Sequence, residues 1–167
     1  MKRRTLLALA GGIAASSANA QEIPRIGYLW LGREGSDSTT RDGLMKGLAE
    51  HGYVPGHNLA IDWRYADGNQ ERLEPILIEL LAGKPSLLIV PGLVGTRAAV
   101  KATNRVPIVA VTTDPIGAGF ADTLARPGHN VTGLALTAGA DVVPCKLICP
   151  VAVTDNDDAA VIVLLCV

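Results

Sequence analysis

Two short apolar runs set the terms for everything else in this chain. Ser86-Leu-Leu-Ile-Val90 is closed by Pro91-Gly92, and Pro107-Ile-Val-Ala-Val111 is followed by the polar Thr112-Thr-Asp-Pro115. A strand with one wet face alternates polar and apolar residues. A run that does not alternate is buried on both faces, as in a parallel sheet held between two layers of helices. Between the two runs lies an Ala-rich stretch, Thr96 to Thr103, with the composition of a short helix. Parallel neighbours need such a crossover, because a tight turn joins only antiparallel strands.

The residues on either side extend the same alternation. Arg25 to Leu31 reads as a first strand ending at Gly32, and Gly35 to Thr40 as a polar loop. A helix is expected to follow to about His51, with Leu44, Leu48, Met45 and Ala49 inward and Gly52 as its stop. Asn58 to Tyr65 alternates, with Leu59, Ile61 and Trp63 on one side. Asp67-Gly68-Asn69 is a turn that offers an N-cap. Leu73, Ile76, Leu77, Leu80 and Leu81 then recur at helical spacing, with Pro75 in the first turns, where its missing N–H matters least. After the loop at 112–115, Gly119 to Ala125 is expected to form a brief helix stopped by Arg126-Pro-Gly128, and Val131 to Leu136 a last strand. The order β-α-β-α-β-α-β-α-β predicts a doubly wound α/β sheet, mostly parallel, a single Rossmann-like lobe with helices on both faces. Ligands of such sheets gather beyond the carboxyl ends of the strands. That rule selects the loops at 32–38, 91–96 and 112–115 and the region after Leu134.

A length of 167 residues allows one domain. Half of the chain is hydrophobic, which argues against disorder. Without Lys2, Arg3 and Arg4 the chain carries 12 basic against 16 acidic side chains, and no basic patch marks it for nucleic acid. Residues 1–20 have the three parts of an export signal: a basic start, an apolar stretch from Leu6 to Ala15 too short to span a bilayer, and Ala18-Asn-Ala20 as a small-x-small cleavage site. A mature chain starting at Gln21 in the periplasm is expected. The lobe proper is expected over 21–137. From about residue 138 the character changes. Cys145, Cys149 and Cys166 all fall in this stretch, with an acidic cluster at 155–158 and a bare apolar run from Ala159 to Val167. No His follows His129, so a local Cys/His zinc cluster is absent, and unpaired thiols in an atypical tail are the expectation.

Several groups invite a chemical reading. Gly92-x-x-Gly95-Thr96 opens a helix, and its free N–H groups suit a carboxylate or another anion; the competing role is a helix start capped by Thr96 itself. Asp114 follows a buried strand and suits an amine, or else folds into an Asx turn with Pro115 to Gly117. Trp30 stands near a strand end, placed to stack on a ligand or to pack in the core. Gly117-Ala-Gly119 has two glycines at dinucleotide-fingerprint spacing without the third, and no Gly-x-Ser-x-Gly elbow exists. His51, His57 and His129 lie at turns and read as solvated. The residues point to binding without catalysis and without a cofactor; a small flavodoxin-like or Rossmann-like enzyme is the alternative.

Taken in order, Arg25-Ile-Gly-Tyr-Leu29, Gly47 to Leu59 (GLAEHGYVPGHNL), Asp62-Trp-Arg-Tyr-Ala-Asp-Gly68, Asp114-Pro-Ile-Gly117 and Leu124 to Gly133 (LARPGHNVTG) resemble ABC transporter substrate-binding proteins with a type I periplasmic-binding fold. The resemblance implies two similar lobes closing on a small solute, such as an amino acid or related compound, and delivery to a membrane permease. It also implies cleft contacts at Ser36, Gly92, Gly95, Thr96, Thr112, Thr113 and Asp114. The family often shows Gly-Thr-Pro or a similar step at the helix opening where this chain has Thr96-Arg97, so the resemblance does not carry a solute preference over to this chain. The stretch from Ala138 does not resemble the leucine- and lysine-rich helix and second lobe that follow in the family. A truncated gene with a shifted frame would account for that departure, and such a chain would be expected to bind weakly or not at all. Neither the solute nor the oligomeric state is specified by the sequence.

Overall fold

The computed structural model describes residues 23–123, 129–136, 151–155 and 158–162. The export-signal reading, the stop at 126–128 and all three cysteines lie outside the described residues. Five parallel strands form one sheet: β1 (Arg25–Trp30), β2 (Ala60–Tyr65), β3 (Leu87–Pro91), β4 (Ile108–Thr113) and β5 (Val131–Leu136), in the order β2-β1-β3-β4-β5. Helices α1 (Ser38–Glu50), α2 (Leu73–Ala82) and α3 (Leu93–Ala102) make the first three crossovers. The chain steps one way from β1 to β2 and the other way from β2 onward. With right-handed crossovers, α1 therefore covers one face and α2 and α3 the other.

The two apolar runs are buried on both faces because the two faces of each strand look onto different cores. Leu88, Val90, Ile108 and Ala110 join Leu73, Ile76, Leu77, Leu80 and Ala99 beneath α2 and α3. Leu87, Ile89 and Val109 join Ile26, Tyr28, Leu44 and Leu48 beneath α1. Every side chain of β3 is buried, as the lack of alternation predicts. Trp63 and Ile61 pack against the α1 core, so the alternation of β2 is confirmed. Pro75 is the third residue of α2, preceded by a short 3-10 turn at Gln70–Arg72 whose Asn69 cap accepts the Glu71 N–H at 2.9 Å.

Three details differ from the sequence reading. First, α3 begins at Leu93 and not at Thr96. Gly92 takes φ +93°, ψ 147°, a region essentially restricted to glycine, and so turns the chain from strand into helix in one residue. Second, Ala49 on α1 is exposed, and Gly47 takes the inward place beside Leu44 and Leu48. Third, the residues described after β4 form no helix at 119–123. Pro115 to Gly119 makes a single turn, in which Phe120 N–H donates to Pro115 O at 2.9 Å and Gly119 N–H to Ile116 O at 2.9 Å. This is a Schellman-type closure on a left-handed Gly119, φ +75°. Two glycines within three residues leave too little helix propensity to carry the turn further. Further on, β6 (Val151–Asp155) and β7 (Asp158–Ile162) pair antiparallel as a two-stranded sheet of their own. Among the described residues no helix is long and apolar enough to cross a membrane.

Candidate functional site

The strand order reverses at β1. The segments leaving β1 and β3 therefore run in opposite directions at the carboxyl edge and leave a crevice between them. The adjacent end of β4 borders the same edge. The sequence-predicted residues lie on these three segments. Ser36 is on the β1–α1 loop, Gly92, Gly95 and Thr96 are at the opening of α3, and Thr112, Thr113 and Asp114 are at the end of β4.

Ser36 is exposed and accepts the Trp30 indole Nε1–H at 2.9 Å, while its hydroxyl donates to Arg33 O at 2.6 Å. Trp30 is half-buried, so it is both packed against the α1 core and tied to the loop that carries Ser36. Gly92 N–H donates across the strand ends to Val111 O at 2.7 Å, which fixes the start of α3 against β4. The next three N–H groups, of Leu93, Val94 and Gly95, open the helix and have no acceptor one turn back. Together with the helix dipole they give this corner a positive potential.

Thr96 does not cap that start and does not reach the edge. It is fully buried one turn into α3, where its hydroxyl lies 2.8 Å from Gly92 O and 3.1 Å from Val90 O, and its N–H donates to Gly92 O at 3.1 Å. The helix opens three residues earlier than the sequence suggests, and that shift moves Thr96 from the rim into the core. Gly95 is buried beside Val90. Thr112 is buried, with its hydroxyl 3.2 Å from Thr113 O, whereas Thr113 is exposed. Asp114 is exposed at φ +45° and accepts the Gly117 N–H on Oδ1 at 2.9 Å. The turn role is therefore real. It occupies one oxygen and leaves the residue exposed at the edge. The partial glycine fingerprint is absorbed in the same turn, since Gly117 N–H binds Asp114 and Gly119 is the left-handed stop. His51, His57 and His129 are exposed, and His129 Nε2 lies 3.5 Å from Asp122 Oδ1. No group of three potential metal ligands occurs among the described residues.

The fold therefore brings the three segments to one edge. The Gly92–Val111 backbone bond joins two of them. Sequence reasoning missed Asp37. It is the residue before α1, lies at 3% exposure, and has both carboxylate oxygens buried without a protein hydrogen-bond partner. Its place in a Ser- and Thr-rich loop read as solvated polar sequence. An Asp directly ahead of Ser-Thr-Thr was nonetheless a signal for a helix start.

The family described as ABC transporter substrate binding protein matches residues 33–144. A tyrosine-binding protein of Clostridioides difficile (strain R20291) is 31% identical over 127 residues, 73% of this chain and 37% of that protein. Among solved structures, the ligand-free, open form of a substrate binding protein with adhesive properties from Clostridium difficile aligns with TM-score 0.64 and 30% identity, covering 68% of this chain and 39% of that one. A conserved domain protein from Vibrio cholerae aligns with TM-score 0.64 and 33% identity, covering 68% and 39%. A streptococcal ABC domain in complex with L-Trp aligns with TM-score 0.63 and 30% identity, covering 67% and 38%. This chain thus spans well under half the length of the relatives it matches. The ordered motifs, the five-stranded parallel sheet and the family match over most of the lobe agree: the chain belongs to the ABC transporter substrate binding protein family.

Proposed function

We propose that residues 21–137 form the first lobe of the solute-binding component of an ABC import system, and that its solute is an aromatic amino acid. Residues 1–20 serve in this reading as a cleaved export leader, the site of action is the periplasm, the downstream partner is a membrane permease, and 138–167 stand apart as a tail. The observation that carries the reading is the pairing of opposite potentials at one sheet edge. The opening of α3 at Leu93 to Gly95 presents N–H groups, and Asp114 presents a carboxylate, on neighbouring strand ends. An amino acid zwitterion has the complementary pair, its carboxylate for the helix start and its ammonium for Asp114. Trp30, half-buried between core and loop, offers a ring face beside them. The named solutes of two relatives, tyrosine and L-Trp, support an aromatic side chain. Binding in this scheme uses fixed N–H groups and one carboxylate, and requires neither nucleophile nor cofactor. Thr112 and Thr96 support the strand and helix ends from below.

Titration of labelled chain with L-tryptophan, followed by amide chemical shifts, tests this. Shifts are expected at Gly92 to Gly95 with L-tryptophan and not with tryptamine, which lacks the carboxylate. Equal shifts with tryptamine, or none at these amides, would overturn the reading. A single wall leaves most of a ligand in water, so the affinity of this chain is expected on the order of millimolar.

A further inference from the structure

Beneath the first turn of α1 lies a polar group that the site described above does not use. Asp37 precedes the helix yet makes no side-chain cap hydrogen bond, and neither carboxylate oxygen has a protein partner. The hydroxyls of Tyr28 and Tyr65 are also buried without partners. Tyr28 on β1 lies opposite Trp63 on β2, and Tyr65 is two residues further along, so both phenols rise from the same face of the sheet. Asp37 is close enough to influence both. Burial, and after it the Asp37 carboxylate, push both phenols above their ordinary value. Both therefore stay protonated as donors. Arg41, one turn along α1, lies 4.7 Å over the Trp63 ring and faces both phenols, and Glu34 faces Tyr65.

The inventory is complementary: two O–H donors stand beside two carboxylate oxygens. Hydrogen bonds from a hydroxyl to a carboxylate are among the strong ones, and folded proteins leave few buried polar atoms unpaired. We infer that Asp37 is a positioning residue of the binding site: the Tyr28 and Tyr65 phenols clamp its carboxylate, directly or through one bridging water each, and this holds the adjacent Ser36 at the cleft edge, where it receives the Trp30 indole. The clamp joins β1, β2 and α1 at the β1–α1 loop, whose start is also held by the Asp67 N–H on Gly32 O at 3.1 Å. Its purpose rests on the binding-site reading, but its existence does not.

The Trp30 indole N–H reports the clamp without any ligand. The chain has two tryptophans, so a Trp63→Phe variant identifies the signal in a nitrogen–proton correlation spectrum. Ser36→Ala removes the acceptor outright and sets the full displacement. Asp37 is the sequence neighbour of Ser36, so the decisive variant is Tyr28→Phe/Tyr65→Phe, which keeps both rings and removes only the distant hydroxyls. It is expected to move the Trp30 signal by at least half the Ser36→Ala displacement. Asp37→Ala is expected to do the same. A signal that moves by less than half in the double phenylalanine variant overturns the proposal, whatever the melting temperature does. Because no solute is present, such a failure is separate from a failure of the tryptophan titration.

Discussion

Single residues packed against the backbone of a neighbouring element carry the sharpest constraints. Gly133 has φ +140°, and a Cβ there would run into the backbone carbonyl of Ala110 on the paired strand. Backbone cannot step aside as a side chain can, so Gly133→Ala is expected to cost more than about 3 kcal/mol, read by denaturant unfolding. Gly92 is the instructive contrast. Its φ is also positive, but a Cβ would meet nothing within 4 Å. Gly92→Ala should therefore show the conformational strain alone, about 1–3 kcal/mol. Thr96→Val keeps the shape of a buried side chain and removes its hydroxyl, so a loss of about 1–2 kcal/mol is expected. Tyr28 adds a pH signature. Its phenol is raised from an ordinary value of 10.0, first by burial and then by Asp37. The folded state thus holds its proton where the unfolded state releases it. The contribution of Tyr28 is fully present below about pH 10 and is lost as pH climbs above it. Tyr28→Phe is expected to flatten the fall in stability with pH above 10, and an unchanged slope would contradict this.

At the scale of elements, α2 shows how a helical stripe becomes a layer. Leu73, Ile76, Leu77 and Leu80 are buried, while Ile78, between them in sequence, is 63% exposed. Leu77→Ala is expected to cost about 2–5 kcal/mol, because the buried side chain leaves a cavity among Leu29, Leu88 and their neighbours. Ile78→Ala is expected to stay within about 0.5 kcal/mol. Strands β6 and β7 pair only with each other among the described residues and add nothing to the five-stranded sheet. An isolated two-stranded pair is marginal by itself. Deleting 139–167 is therefore expected to leave the melting temperature within about 4 °C, a shift equivalent to ~1 kcal/mol for a domain of this size. A much larger drop would show that the tail completes the core.

At the scale of the whole sheet, the reversal of strand order at β1 opens a crevice at the carboxyl edge. The β1/β3 reversal places a helix start, an acidic turn and a tryptophan along one edge. Two apolar residues on the segments that border this edge, Val94 at the start of α3 and Ile116 in the turn after β4, are exposed. N-terminal sequencing of exported material is expected to find Gln21 first; intact Met1 on the native cytoplasmic protein would contradict export.

The sequence by itself determined the layer architecture. Unbroken apolar runs of five residues closed by Pro-Gly or a polar loop fit strands covered on both faces, and the 3.6-residue stripe of α2 fits a helix facing a core; both are one-dimensional patterns. It also placed the loops at 32–38, 91–96 and 112–115 at the carboxyl edge of the sheet, because strand ends follow from strands. Strand order, the place of the reversal and the depth of each loop residue were decided by the tertiary structure. Thr96 left the rim because Gly92 starts α3 a turn early, and that start depends on how β3 and β4 are tied by the Gly92–Val111 bond. Asp37 became buried because α1 lowers it onto two tyrosines from different strands, Tyr28 and Tyr65, which lie 37 residues apart in sequence. Burial of a polar group depends on who lies opposite, and that partner is set by pairing between distant segments, which no local pattern records.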